Sequence, residues 1–196
     1  MDEKKIVKML FIFGSHRSNG NSEMVKALME RHPDYGDVEA KYIFLKDYDI
    51  NDCKSCYQCT ELGKCSIDDD VEKIVDEMKE SDAIIFVPVV YGFGTGSIFQ
   101  KFIERAGYGF LRMQGRPLRD KIAGIVVVGR RYAHEAVVQQ IIMNVLLNEM
   151  VIYGSGFLPL LKGDSFPGNI MEDEEGIESF DKMVNRVVDA VKKGKR

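Results

Sequence analysis

Every cysteine of the chain lies in one short stretch running from Cys53 to Cys65, with the sequence CKSCYQCTELGKC. Thiolates are soft anionic ligands, and four of them in one loop suit a metal. Cys53, Cys56 and Cys59 recur every third residue, a spacing at which a turning backbone points successive sulfurs at one centre, and Cys65 completes the set. A mononuclear zinc site more often takes two CxxC pairs from separated segments, whereas CxxCxxC with a fourth cysteine nearby is the pattern of cubane iron-sulfur clusters. Zinc, and a redox-active or merely reduced thiol loop without metal, are the alternatives. Asp68, Asp69 and Asp70 follow directly. They read as helix N-terminal chemistry, with Asp69 and Glu72 forming a capping box, and not as further ligands.

A second stretch could hold phosphate. The apolar run Ile6 to Phe13 has the length of a central strand buried on both faces, and Met24, Val25, Leu28 and Met29 follow at helical spacing. Between them stands Gly14-Ser15-His16-Arg17-Ser18-Asn19-Gly20-Asn21-Ser22. Small residues there let backbone N–H groups crowd inward, three serines supply hydroxyls, Arg17 supplies charge, and the helix supplies its open end. A phosphate monoester is satisfied by that set; the plainer alternative is a turn with an Asn or Ser cap. Neither GxGxxG nor GxxxxGK[ST] is present, which argues against a dinucleotide or ATP.

The elements that must position these stretches alternate. Val38, Ala40, Tyr42 and Phe44 mark an edge strand, Val71, Ile74, Val75 and Met78 a helix, and Ala83 to Val87 a third strand ended by Pro88. The loop Val89-Val90-Tyr91-Gly92-Phe93-Gly94-Thr95-Gly96 leads into a helix bearing Ile98, Phe99, Phe102 and Ile103. Ile122 to Val128 reads as the fourth strand, its exit loop holds Gly129, Arg130 and Arg131, and a helix runs from His134 to about Asn148. Val151 to Tyr153 begins the fifth strand, and Ile177, Phe180, Val184, Val187 and Val191 mark the last helix. Five strands alternating with five helices predict a doubly wound parallel α/β sheet of order 2-1-3-4-5 in a single domain over residues 1–196. The loops beginning at Gly14, Pro88 and Gly129 then converge where the topology switches. The first is a phosphate cradle, the second aromatic and glycine-rich, the third cationic, a combination that matches one phosphate and one flat ring, as in FMN.

These residues resemble the iron-sulfur flavoproteins, a branch of the NAD(P)H-dependent FMN reductase family with a flavodoxin-like fold. The likeness covers the chain to about Phe157. Family members carry a GSxRxxGN[ST] loop that holds the FMN phosphate, matched by Ser15, Arg17, Asn19, Gly20, Asn21 and Ser22. They carry a Pro-Val-Tyr segment along the isoalloxazine, matched by Pro88, Val89, Val90 and Tyr91, with Gly92, Phe93 and Gly94 following. Their glycine-rich loop after strand four is matched in part by Gly129, Arg130, Arg131 and Glu135. The resemblance assigns a 4Fe-4S cluster to Cys53, Cys56, Cys59 and Cys65. His16 stands where the family usually has proline, and the second loop is one residue longer.

The resemblance implies a flavoprotein that takes single electrons from a ferredoxin-like carrier through the cluster to FMN and on to a small acceptor, with no side chain acting as acid or base. An NAD(P)H-dependent FMN or quinone reductase without a functional cluster is the alternative, and a non-enzymatic flavin-binding sensor the third. His134 and Glu135 read as a cap and an exposed charge at a helix start. The chain has 196 residues and a formal charge of −4 with signs intermixed, which excludes nucleic acid as the main ligand. The basic end Lys192, Lys193, Lys195 and Arg196 reads as a solvated helix terminus. No apolar run is long enough for a membrane span, and four close cysteines without a disulfide pattern point to the cytoplasm. Met143 and Leu147 widen the apolar face of the helix after His134 and predict a homodimer or homotetramer.

Overall fold

The computed structural model describes residues 6–163 and 168–194. Strands β1 (Val7–Phe13), β2 (Val38–Phe44), β3 (Ala83–Val87), β6 (Ile122–Ile125) and β8 (Val151–Ile152) form one parallel sheet in the order β2-β1-β3-β6-β8. This is the predicted flavodoxin-like topology, with β2 at the edge. Register follows the hydrophobic pattern: Val7 faces Val38 and Phe13 faces Phe44, while Met9 faces Ala83 on the other side.

Because β1 is central, both of its faces are buried. Leu10 and Ile12 join one core with helices α3 (Val71–Glu80), α4 (Ser97–Phe102) and α6 (His134–Leu147). Val7, Met9, Phe11 and Phe13 join the other core with α1 (Asn21–Glu30) and α7 (Glu174–Lys192). Side chains of this size stabilise by about 1.5–3 kcal/mol each when fully buried, before the entropy of ordering is subtracted.

The expected fourth strand is divided. Ile122–Ile125 stays in the main sheet, whereas β7 (Val127–Gly129) pairs with β9 (Leu160–Lys162), an element not foreseen in the sequence. The switch is driven by backbone pairing: Val127 N–H donates to Pro159 O at 3.0 Å and Val128 N–H to Pro88 O at 3.1 Å. The fifth strand ends at Ile152, one residue early. The segment Val90 to Thr95 is not an open loop but a hairpin of β4 (Val90–Tyr91) and β5 (Gly94–Thr95), turned by Gly92 and Phe93 at φ 54° and 66°. Beyond α4 the helix continues as a π-helix over Ile103–Phe110 and then α5 (Leu111–Met113).

On α6, Met143 and Leu146 are 68% and 56% exposed, whereas Leu147, expected beside Met143, is half-buried. Lys192 pairs with Asp37 and Lys193 with Asp189 at 2.9 Å, while Lys195 and Arg196 lie outside the described residues. No helix among the described residues is long and apolar enough to cross a membrane.

Candidate active site and cysteine loop

The crevice opens beyond the carboxyl ends of β1, β3 and β7. Gly14 N–H donates to Val87 O at 3.0 Å, which ties the first loop to the second. The position must be glycine, because a Cβ there would lie 2.5 Å from Phe99 Cδ2. Ser15 is buried, and its Oγ accepts from Arg17 N–H at 3.1 Å. Asn19 takes the left-handed conformation, and its N–H donates to Glu23 Oε2 at 2.8 Å, the carboxylate reaching back across the start of α1. Gly20 caps α1 without a side chain; Glu23 N–H bonds Gly20 O at 3.0 Å, and no side chain of Gly20 serves the amides of Asn21 and Ser22. Ser22, only 2% exposed, has an Oγ buried with no hydrogen-bond partner. An open helix end beside an orphaned buried hydroxyl fits an anion such as a phosphate monoester.

The hairpin β4–β5 forms the second wall. Its Thr95 N–H donates to Gln140 Oε1 at 3.0 Å, so α6 supports it from behind. His16 Nε2 lies 3.0 Å from Ser97 Oγ, and its ring stands 6.5 Å from that of Tyr91. Tyr91 and Phe93 present large exposed ring surface, 41% and 76%.

The third wall starts at Gly129, whose O accepts from Gly163 N–H at 3.0 Å. Beneath it lies His134, 2% exposed; read as the cap, it is instead the first residue of α6. Ala133 takes the cap position at φ 65°, which turns the imidazole inward. Burial holds His134 below the ordinary histidine range, opposed by a hydrogen bond to the Leu161 backbone. Glu135 is exposed and lines a separate hollow with Phe157 and Lys162.

Two adjoining hollows fill the crevice. One, of about 360 Å³, is lined by Ser15, Arg17, Asn19, Gly20, Asn21, Ser22, Val89, Val90, Tyr91 and Gly129 among the expected residues. The other, of about 380 Å³, is lined by Gly92, Phe93 and Arg131, and the two share Val90 and Arg130. Pro88 and Gly94 line neither. Pro88 O serves β7, and Gly94 packs toward Gln140. The sequence reading missed Met24, Val128, Tyr132, Gly163 and Gly168 as lining residues. Gly168 enters because its carbonyl accepts from Asn21 Nδ2 at 2.7 Å, a contact across 147 residues that no local pattern announces.

The four cysteines occupy a loop between Asn51 and Asp69. All are free; Cys53 and Cys56 are exposed, and Cys59 and Cys65 are half-buried against the core. Ser55 and Tyr57 take left-handed conformations, a short helix α2 (Cys59–Leu62) follows, and Gly63 ends it at φ 63°. The sequence spacing predicts sulfurs aimed at one centre. Among the described residues no three His, Cys, Asp or Glu groups come together as a metal site. The left-handed residues on either side of Cys56 reverse the chain between successive thiols, and Tyr57 is left 76% exposed. The Cys56 thiol is held below its usual range by the Gln58 backbone N–H and the Ser66 hydroxyl.

The loop is closed at its neck. Asp69, read above as half of a capping box, does accept from Val71 N–H through Oδ1 at 3.2 Å, and it is also a buried partner of Arg105, with both side chains 1% exposed. Arg105 Nη1 donates to Asp69 Oδ2 at 2.7 Å and to Asn51 O at 2.8 Å, and Nη2 donates to Asp69 Oδ1 at 3.0 Å. Asp70 holds the N-cap position of α3 without a side-chain capping bond. Arg105 Nε is buried without a partner. A donor set of four thiols, with an unused N–H at the base of their loop, suits a thiolate-bound metal group by its chemistry.

Residues 7–163 match the family model described as NADPH-dependent FMN reductase. The chain belongs to that family. It is an FMN-dependent oxidoreductase, which sets it apart from a flavin-binding sensor. An iron-sulfur flavoprotein of Methanocaldococcus jannaschii is 33% identical over 95% of this chain and 98% of that protein. One of Methanosarcina thermophila is 27% identical over 76% and 78%. Among solved structures, the flavoenzyme NAD(P)H:(acceptor) oxidoreductase FerB of Paracoccus denitrificans superposes with a TM-score of 0.71 at 12% identity, covering 96% of this chain and 98% of that one, a likeness of fold.

Proposed function

We propose that FMN binds in the crevice, its phosphate against Ser15, Arg17, Asn19, Gly20, Asn21 and Ser22 and its ring along Val89, Val90, Tyr91, Gly92 and Phe93, with Gly129 and Arg131 opposite. The observation that carries this is the buried, unpartnered Ser22 hydroxyl at the open start of α1, inside the first hollow. Only one phosphate cradle is present in the sequence, which favours FMN over FAD. The bound flavin supplies one- and two-electron chemistry. The residues bind and orient it, and Pro88 and Gly94 hold the wall that does so. A small acceptor reaches the ring from the exposed side formed by Tyr91 and Phe93.

Two donors are compatible with this site. Hydride from NAD(P)H is supported by the family description and by the lack of a gathered metal site among the described residues. A ferredoxin-like carrier is supported by the cysteine loop, on which Cys53, Cys56, Cys59 and Cys65 would hold a 4Fe-4S cluster. The donor set, the orphaned Arg105 Nε and the names of the relatives support that second reading, while the family description and the ungathered thiols weigh more for the first. When bound, such a cluster accepts one electron at a time. Flavin, iron and sulfide assays on anaerobically purified protein, followed by mixing with NADPH or with reduced ferredoxin, separate the two. Stoichiometric iron and sulfide with bleaching by ferredoxin support the cluster; fast NADPH oxidation without iron supports direct hydride transfer; absence of FMN in both overturns the site.

The free thiols fit a reducing compartment, and we place the chain in the cytoplasm. The exposed Met143 and Leu146 support a homodimer or homotetramer.

A further inference from the structure

The cysteine loop leaves and re-enters the fold within a few ångströms. Asp49 N–H donates to Asp70 Oδ2 at 2.9 Å, Asp70 N–H returns to Asp49 O at 3.0 Å, and Asn51 N–H donates to Asp69 Oδ2 at 3.0 Å. Arg105 lies across this neck and holds Asn51 on one side and Asp69 on the other. It comes from the π-helix, which also packs against α2, the short helix that begins at Cys59. π-Helical turns recur at functional sites because they push one side chain out of the regular repeat.

A buried guanidinium has five N–H donors, and one left buried and unpartnered carries a cost that neutralising Asp69 alone does not explain. Arg105 is 2% exposed, yet its Nε has no partner. Burial opposes the charge of Arg105, and Asp69, with a smaller contribution from Cys65, outweighs it. Cys65 is itself half-buried against the core to which Ile103 and Ala106, chain neighbours of Arg105, belong.

We infer that Arg105 is a positioning residue of the cysteine loop: it buckles Asn51 to Asp69 and holds its Nε–H toward the Cys65 sulfur of the metal-loaded loop. The inference rests on the cluster reading above. Hydrogen bonds to ligating sulfurs offset their negative charge, which favours the reduced form and raises the potential. The same helical run begins at Ser97 against His16, so one rod touches both the crevice and the neck.

The test uses full-length protein reconstituted anaerobically with ferrous iron and sulfide, as wild type, Arg105→Lys, and the charge-neutral pair Arg105→Gln with Asp69→Asn. Iron and sulfide per chain, iron retention against a chelator, cluster reduction potential and FMN content are measured. In both variants FMN is expected to stay, iron retention to fall by about 10- to 100-fold, and the potential to move negative. Arg105→Lys should retain more iron than the double variant because it keeps the charge. Wild-type potential and iron retention in both variants overturn the inference. So does loss of FMN in step with iron in both, since the pair would then only hold the fold together. Wild type that takes up no iron or sulfide removes the cluster reading, a failure distinct from either.

Discussion

His16 Nε2 stands 3.0 Å from Ser97 Oγ, so the loop after β1 is pinned to the first turn of α4. The pin acts on the phosphate cradle from outside it. Ser97→Ala removes one hydrogen bond worth about 0.5–1.5 kcal/mol. FMN titration by fluorescence quenching should show affinity falling by about 2- to 12-fold, with the melting temperature of the flavin-free protein nearly unchanged. Equal affinity would show that Gly14 and Val87 alone set the loop.

Gly129 has no room for a side chain. A Cβ there would lie 2.7 Å from His134 Nε2 and 2.9 Å from Val90 Cγ2. Gly129→Ala should therefore destabilise by about 1–3 kcal/mol, the range for overpacking, and should weaken FMN as Val90 shifts. Gly36, where a Cβ would meet nothing within 4 Å, gives the control: Gly36→Ala should melt like wild type. Equal melting of both variants would contradict the packing.

Two buried groups set the acid limit of stability. Burial raises the pKa of Asp69, but Arg105 and the Asn51 and Val71 N–H groups outweigh it and hold the folded value below the ordinary one. A depressed carboxylate stabilises fully above its unfolded pKa and loses that contribution as pH falls through the folded value. His134, held below 6.5, stabilises as the neutral form and loses its contribution as pH falls from 6.5 toward the folded value. Urea midpoints should decline below pH 6.5 in wild type, with a second fall in the carboxylate range. His134→Gln should flatten the first fall and Asp69→Asn the second, and unchanged profiles would contradict these assignments. At pH 7, Asp69→Ala should cost about 3–5 kcal/mol, because it leaves Arg105 buried and unpaired.

The strand order was legible because burial on two faces, as in β1, and on one face, as in β2, leave different patterns. The first crevice loop was legible for a similar reason: helix starts and small residues are local signals. What was not legible depended on distant partners. Asp69 reads as a cap and does bond Val71 N–H, but its second role with Arg105, 36 residues away, leaves no local trace. His134 looks like a cap until the left-handed Ala133 takes that position and leaves His134 buried under Gly129. The break at Val126 follows from pairing with β9, a strand too short to carry a pattern.

Met143 and Leu146 leave a wide apolar surface on α6. Sedimentation of wild type should give a dimer or tetramer, and Met143→Asp with Leu146→Asp should lower its mass while FMN stays bound. A wild-type monomer at micromolar concentration would contradict the proposed assembly.

The most direct test of the account is an FMN binding isotherm on flavin-free protein, wild type against Ser22→Ala, with Ser15→Ala and Arg17→Leu beside them. Charge-assisted bonds to a phosphate are worth about 1.5–3 kcal/mol, so one FMN per wild-type chain is predicted, with Ser22→Ala weaker by about 10- to 150-fold and riboflavin indifferent to the change. FMN bound equally by wild type and Ser22→Ala, or FAD bound in preference to FMN, would contradict it.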